Sequence, residues 1–383
     1  MSSAKFTQMI TEGYRCQQDT ITLGAPMLKE KVFSEAPITI SLKTLNRHGL
    51  IAGATGTGKT KTLQLFAELL SSNGIPSLLM DIKGDLSGLA AAGSVNDKIT
   101  ERQAKIGIPY APHKAPVELL TLSDQPGVPL RATVDQFGPL LMAQILELNE
   151  TQGSVLAVIF KYCDDTKLSL VDLEDLKKIM HLLTNEGKTD FEKEYGMLST
   201  STTGAILRKI LALEQQGVDR FFGEPSFDVN DLLDVDREGQ GRISILRLMD
   251  IQDRPQLFGT FMLGLLTEVY RRFPEVGDPL KPKLVIVIDE AHLIFNNASN
   301  ALLEKIETII KLIRSKGVGI FFCTQDPTDI PASVLSQLGL KIQHALRSFT
   351  AKDRKAIKLV AENYPTSEYY ETSELITSLG IGE

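Results

Sequence analysis

A chain of 383 residues, 43% apolar and 23% charged, has the size and balance of a globular protein with one large domain or two. Its net charge of −7 excludes a surface that grips nucleic acid everywhere, so any such contact must be confined to a local patch or a pore. It has no run long enough to cross a bilayer and no apolar signal core in Met1–Phe6, and Cys16, Cys163 and Cys323 lack any metal or redox spacing. These features predict a cytoplasmic protein with buried thiols and no membrane contact.

In chain order, residues 1–45 carry strand-like runs at Ile21–Leu23 and Ile38–Ile40, broken by Gly24, Pro26 and Pro37, which predict a short β-rich segment. Residues 46–133 open with a strand over 48–53, a loop, a helix over Lys59–Ser72 stopped by Gly74, and a strand over 75–81. This βαβ order requires a parallel sheet with a right-handed crossover. A further strand is expected over 117–122. Residues 134–235 change character: amphipathic helices over 140–148, 153–162, 171–184 and 202–215 follow one another without a strand, as expected of a helical insertion. In 236–383 strands return at 242–248 and 283–289 around a helix over 257–273. A helix over 302–314 then leads to a strand over 318–324. A strand over 340–346 and a helix from Ala351, with Thr350 and Asp353 as a capping box, complete the pattern.

Gly53-Ala54-Thr55-Gly56-Thr57-Gly58-Lys59-Thr60 has the spacing of a phosphate-binding loop and sits between the first strand and the first long helix. Glycines let the chain curl until successive N–H groups converge on one anion, and the helix behind them adds the positive end of its dipole. Lys59 is placed to reach the β- and γ-phosphates, the Thr60 hydroxyl to ligate Mg²⁺, and Lys61 to extend the contact into the helix. A Gly-rich turn before an ordinary helix is the bland alternative. The preceding strand and the stripe Leu63, Phe66, Ala67, Leu70 favour nucleotide.

Leu284–Ile288 is an unbroken apolar run ending in Asp289-Glu290-Ala291-His292, as a central parallel strand buried on both faces would read. Ligands in such sheets sit beyond the carboxyl ends of strands, so Asp289 is delivered to the edge that carries the phosphate loop, where it can hold Mg²⁺ through water. Glu290 can then polarise a water against the γ-phosphate, which favours hydrolysis over simple nucleotide gripping. Asp-Glu-Ala-His invites comparison with DEAH-box helicases, but no Gln-x-x-Gly-Arg-x-Gly-Arg motif follows, and His292 is expected to orient its neighbours. Gln325, at the end of the strand over 318–324, is either a γ-phosphate sensor or a turn residue before Asp326-Pro327. The basic run Lys352, Arg354, Lys355, Lys358 reads as a solvated helix face rather than a DNA contact.

With these residues assembled, the chain resembles the HerA-like branch of the HerA/FtsK family of P-loop ATPases, most closely its bacterial YjgR-type group. The resemblance runs from about residue 35 onward. It rests on Leu45–Leu50 leading into the phosphate loop, Met80-Asp81-Ile82-Lys83-Gly84-Asp85-Leu86, the Asp-Glu-Ala-His strand, Arg314–Gly319 and Thr324–Pro327. It implies an α/β fold of the RecA-like ASCE type, with a mainly parallel sheet flanked by helices. It also implies ATP and Mg²⁺ as ligands, a homohexameric ring, and a helicase-like motor that moves DNA through a central pore, with a nuclease or protein substrate as a possible partner. The alternatives are an ATPase that remodels protein complexes and a nucleotide-dependent scaffold. Carried over residue by residue, Lys59 and Thr60 take the nucleotide and metal roles, Asp289 the Mg²⁺ role, Glu290 that of base and Gln325 that of sensor. Arg314 matches the family's arginine after the helix that follows the acidic strand, and Arg47 one just ahead of the phosphate loop; each is either a residue acting across a subunit interface or a surface charge at a helix end, with Arg347 a third candidate. Asp81 and Lys83 fall at a strand's carboxyl end near the site, with no role that the sequence assigns.

Overall fold

The computed structural model describes residues 3–251, 254–297, 300–347 and 350–383. A helix over Ser3–Gly13, buried only through Phe6, precedes strands β1 (Thr20–Gly24), β2 (Met27–Leu28), β3 (Lys31–Val32) and β4 (Ile38–Ser41). These strands form two small antiparallel pairs, β1 with β4 and β2 with β3. The opening segment is therefore β-rich, as its sequence suggests, but it begins with a helix that the sequence did not suggest. Cys16 here is exposed, which corrects the expectation of three buried thiols; Cys163 and Cys323 are buried.

The rest of the chain builds an eight-stranded sheet from β5 (Gly49–Ala52), β6 (Ser77–Asp81), β7 (Val117–Thr121), β8 (Val128–Pro129), β9 (Ile243–Arg247), β10 (Leu284–Ile288), β11 (Val318–Thr324) and β12 (Leu340–Gln343). Its order is β12-β5-β11-β10-β6-β9-β7-β8, and every neighbouring pair is parallel. A parallel sheet must be covered on both faces, and the two-residue period of the strands divides its apolar residues between them. Leu50, Leu78, Met80, Ile286, Ile288, Ile320 and Phe322 enter the larger core. Their alternates Ile51, Leu79, Val285, Val287, Phe321 and Cys323 enter the other. The helix Lys59–Ser72 seals that second face with Leu63, Phe66, Ala67 and Leu70, each no more than 1% exposed. Complete burial of four such side chains contributes roughly 1.5–3 kcal/mol each for the larger ones, enough to lock the helix behind the loop that precedes it.

Between β8 and β9 the chain forms five helices, Val134–Ile145, Glu150–Thr166, Leu173–Thr184, Lys188–Tyr195 and Thr200–Gln215. Two start in complete capping boxes, Thr133 with Gln136 and Asn149 with Gln152, so the chain supplies its own partners for the orphan N–H groups. Their apolar faces join the larger core, where Phe137 packs edge-on against Phe221 and Phe222. The helix from Ala351 also begins in its expected box, with Thr350 and Asp353 bonded reciprocally.

His48 ties the amino edge of the sheet together. Its Nε2–H donates to the Ile310 carbonyl at 2.9 Å and its Nδ1 accepts the Ile320 N–H at 3.0 Å, an arrangement that only the neutral ring can make. Burial, reinforced by the Arg314 charge and opposed by the Ile310 bond, lowers its pKa from 6.5 to about 4. Between those two values the unfolded chain binds a proton that the folded chain does not, so stability falls as pH drops through this window. Chemical denaturation at pH 7 and pH 5 should differ by about 2 kcal/mol from this residue alone. His48→Asn, which removes the titrating ring, should flatten that slope. An unchanged slope in the variant would remove His48 as the cause.

Candidate active site

Four adjacent strands bring the site together at their carboxyl ends. β5 delivers the phosphate loop, β11 Gln325, β10 Asp289 and Glu290, and β6 the turn that carries Lys83. Because β11 lies between β5 and β10, Gln325 stands between the loop and the acidic pair. Its amide makes contact in both directions: Thr55 Oγ1 donates to Gln325 Oε1 at 3.0 Å, and Gln325 Nε2 donates to Glu290 Oε1 at 3.3 Å.

The loop curls as its glycines require. Gly56 and Gly58 have φ of 77° and 110°, conformations that side-chain-bearing residues avoid. Neighbouring strand ends brace it, with Ala54 N–H donating to the Ala345 carbonyl at 2.8 Å and Gly53 N–H to the Thr324 carbonyl at 3.3 Å, and within the loop Thr57 Oγ1 donates to the Ala54 carbonyl at 2.7 Å. Lys59 is 7% exposed, and its ammonium donates to the Gly53 and Ala54 carbonyls at 2.5 and 3.1 Å. The cation is thus folded back onto the loop that would surround a phosphate. Burial depresses its pKa, with the Lys83 charge adding to the effect, so an arriving anion would relieve an unfavourable state. Thr60 is partly buried at the helix start, whereas Lys61 points outward and donates to Gln64 Oε1 at 2.8 Å.

Asp289 is 6% exposed. Burial and the adjacent Glu290 charge raise its pKa, against the Glu290 N–H that donates to its Oδ1 at 2.9 Å and a bond from the Cys323 thiol. A buried carboxylate in that condition is one that a cation would stabilise. Among the described residues no cluster of three His, Cys, Asp or Glu could cage a metal alone. That donor set fits Mg²⁺, which is usually held by one or two protein oxygens together with phosphate and water, here Thr60 and Asp289.

Glu290 has φ of 46°, a left-handed conformation that costs about 1–3 kcal/mol for a residue with a Cβ and that clusters at functional sites. Burial would raise its pKa, but an ion pair to Lys83, the Gln325 bond and the nearby His292 outweigh it, and the carboxyl is held below its ordinary value. Lys83 Nζ pairs with Glu290 Oε1, and His292 Nδ1 lies 3.3 Å from Oε2. Sequence reasoning placed Lys83 near the site without a partner and missed Cys323 and Thr55 as contacts of Asp289 and Gln325. The only signal for Lys83 was its place just beyond a buried strand.

The two arginines matched to trans-acting residues do not join this group. Arg47 precedes β5 and Arg314 precedes β11, at the sheet's amino edge, where both influence Asp278; Arg314 Nη2 lies 3.7 Å from its Oδ1. Arg347 instead lines a cleft of about 820 Å³ at the carboxyl edge, with Ala54, Thr55 and Gln325. Arg354, Lys355 and Lys358 are exposed along their helix, and the side chain of Lys352 lies outside the described residues.

A sequence model of the family described as helicase HerA-like C-terminal matches residues 27–383. A DNA double-strand break repair helicase HerA of Sulfurisphaera tokodaii is 24% identical over 357 residues, covering 89% of this chain and 63% of its own. A probable helicase of Methanocaldococcus jannaschii is 25% identical, covering 92% of this chain and 66% of its own. The chain thus spans somewhat under two-thirds of the length of these relatives. Among solved structures, plasmid coupling protein TrwB in complex with a non-hydrolysable ATP analogue superposes with a TM-score of 0.60 at 15% identity, over 100% of this chain and 88% of that one. VirB4 of Thermoanaerobacter pseudethanolicus gives 0.57 at 14%, over 96% and 93%. These likenesses show that the chain shares the α/β fold of TrwB and VirB4, with its mainly parallel sheet flanked by helices.

Proposed function

The chain belongs to the helicase HerA-like C-terminal family, and we propose that it is a Mg²⁺-dependent ATPase whose turnover drives a homohexameric, helicase-like DNA motor. The observation that carries this reading is the bridge made by Gln325 between Thr55 of the phosphate loop and Glu290, across one intervening strand. A nucleotide gripped without hydrolysis would not need a buried acid linked to the loop in this way.

In this mechanism Lys59 leaves the Gly53 and Ala54 carbonyls for the β- and γ-phosphate oxygens, and the loop N–H groups complete the cradle. Thr60 and Asp289 hold Mg²⁺, which when bound neutralises charge on the transferring phosphoryl group. Glu290 orients the attacking water and accepts its proton. Gln325, joined to both Thr55 and Glu290, reports γ-phosphate occupancy to the base. Arg47 and Arg314, remote from the site of their own subunit, serve a neighbour's site across the ring.

We take the polymer in the pore to be DNA, with a nuclease or protein partner outside it, and the compartment to be the cytoplasm. Among the described residues no helix is long and apolar enough to cross a membrane. The acidic surface confines DNA contacts to few basic groups, so stimulation of ATPase activity by DNA should fall steeply with salt, with a log–log slope of roughly −0.7 to −0.9 per neutralised phosphate. Turnover measured with and without DNA across 50–300 mM salt tests this. Stimulation by a protein partner alone, with none by DNA, overturns the motor in favour of remodelling.

A further inference from the structure

The turn after β6 is built to present one side chain. Asp81, 1% exposed, uses both carboxylate oxygens on the turn itself, Oδ1 accepting the Gly84 N–H at 2.8 Å and Oδ2 the Leu86 N–H at 3.2 Å. Gly84 takes φ of 78°, a conformation that side-chain-bearing residues rarely adopt, so the turn also depends on glycine at this position. With the backbone held by Asp81, the Lys83 side chain is not needed to shape the turn. It reaches instead across to β10 and pairs with Glu290 Oε1. The Glu290 side chain is 5% exposed and that of Lys83 42%, so solvent cannot replace the lysine on the carboxylate, while the lysine keeps access to the open edge of the site.

We infer that Lys83 is a positioning residue for hydrolysis, which fixes the orientation of the Glu290 carboxylate from the β6 side as Gln325 does from the β11 side. Glu290 gains from support on both sides because its left-handed backbone sets an uncommon starting direction for the side chain, and a carboxylate without a partner on the β6 side is free to turn away. Lys83 therefore acts on the chemical step through Glu290 and contributes little to nucleotide affinity, which the phosphate loop supplies. This inference rests on the reading of Glu290 as the hydrolytic base.

The test uses the full chain with Lys83→Met, Lys83→Gln and Lys83→Arg, each also combined with Glu290→Gln, and measures kcat, KM and the dissociation constant of a fluorescent ATP analogue with Mg²⁺. Misplacing a catalytic group typically costs about 10- to 100-fold, so Lys83→Met and Lys83→Gln should lower kcat by that factor with KM and affinity changed less than about twofold. Lys83→Arg should recover most of the rate, and in the Glu290→Gln background loss of Lys83 should add nothing. A wild-type kcat in the neutral variants, a parallel loss of affinity, or full additivity with Glu290→Gln each overturns the inference. Lys83→Gln, one atom shorter but keeping a hydrogen-bond donor, covers the case in which the methionine variant does not fold. Absence of turnover in the wild type sinks the ATPase reading itself and is distinguishable from all of these.

Discussion

Glu290→Gln is expected to bind ATP with Mg²⁺ at close to wild-type affinity and to hydrolyse it about 10²–10⁴-fold more slowly, the usual contribution of a positioned general base. The substitution keeps the side chain's length and its capacity to meet Gln325 and Lys83, so the loop should stay intact while proton acceptance is lost. Binding by a fluorescent analogue and single-turnover hydrolysis separate the two effects. The same variant separates the readings that need turnover from the one that does not: a motor or a remodeller loses its cellular output along with turnover, whereas a nucleotide-dependent scaffold keeps it. Retained turnover above about a tenth of wild type would move the base elsewhere in the site, with His292, beside Glu290 Oε2, the first residue to examine.

The features legible in the sequence are those set by local chemistry. The phosphate loop is read from glycine spacing, and the Leu284–Ile288 strand from an apolar run long enough to be buried on both faces, which it is. The helix Lys59–Ser72 follows from a stripe whose members are all fully buried. The elements that escaped have little apolar periodicity to read. Asp97–Ile106 buries no residue, Lys188–Tyr195 buries only Phe191, and β8 is two exposed residues held by pairing with β7. The pairing of Lys83 with Glu290 was illegible for another reason: that β6 lies beside β10 is a fact of sheet order, and no local pattern near Lys83 names a partner some two hundred positions away. The arginines show the converse. Their motif positions were readable, but only the parallel sheet reveals that both stand at the edge opposite the phosphate loop.

That placement makes the second large prediction. From Val318 to Thr324 the β11 strand covers seven residues, which at about 3.3 Å each separates Arg314 from the carboxyl edge by roughly 20 Å, far beyond the reach of a side chain. Arg314 therefore cannot serve the Lys59 of its own subunit, and a catalytic role requires a neighbour whose carboxyl edge faces this amino edge. In that arrangement Arg314→Ala should bind nucleotide normally and lose about 10³–10⁵-fold in turnover, the effect of removing an arginine finger. Mixing it with Glu290→Gln provides the decisive measurement. Neither variant turns over alone, but a mixed ring contains interfaces where an intact Glu290 meets an intact Arg314, so hydrolysis should reappear on mixing. With its side chain 46% exposed and 3.7 Å from Asp278, the competing description of Arg314 is a surface charge paired at a helix end. Near wild-type turnover in Arg314→Ala, or a mixture no more active than its parts, would establish that description and remove the need for a ring in the chemistry.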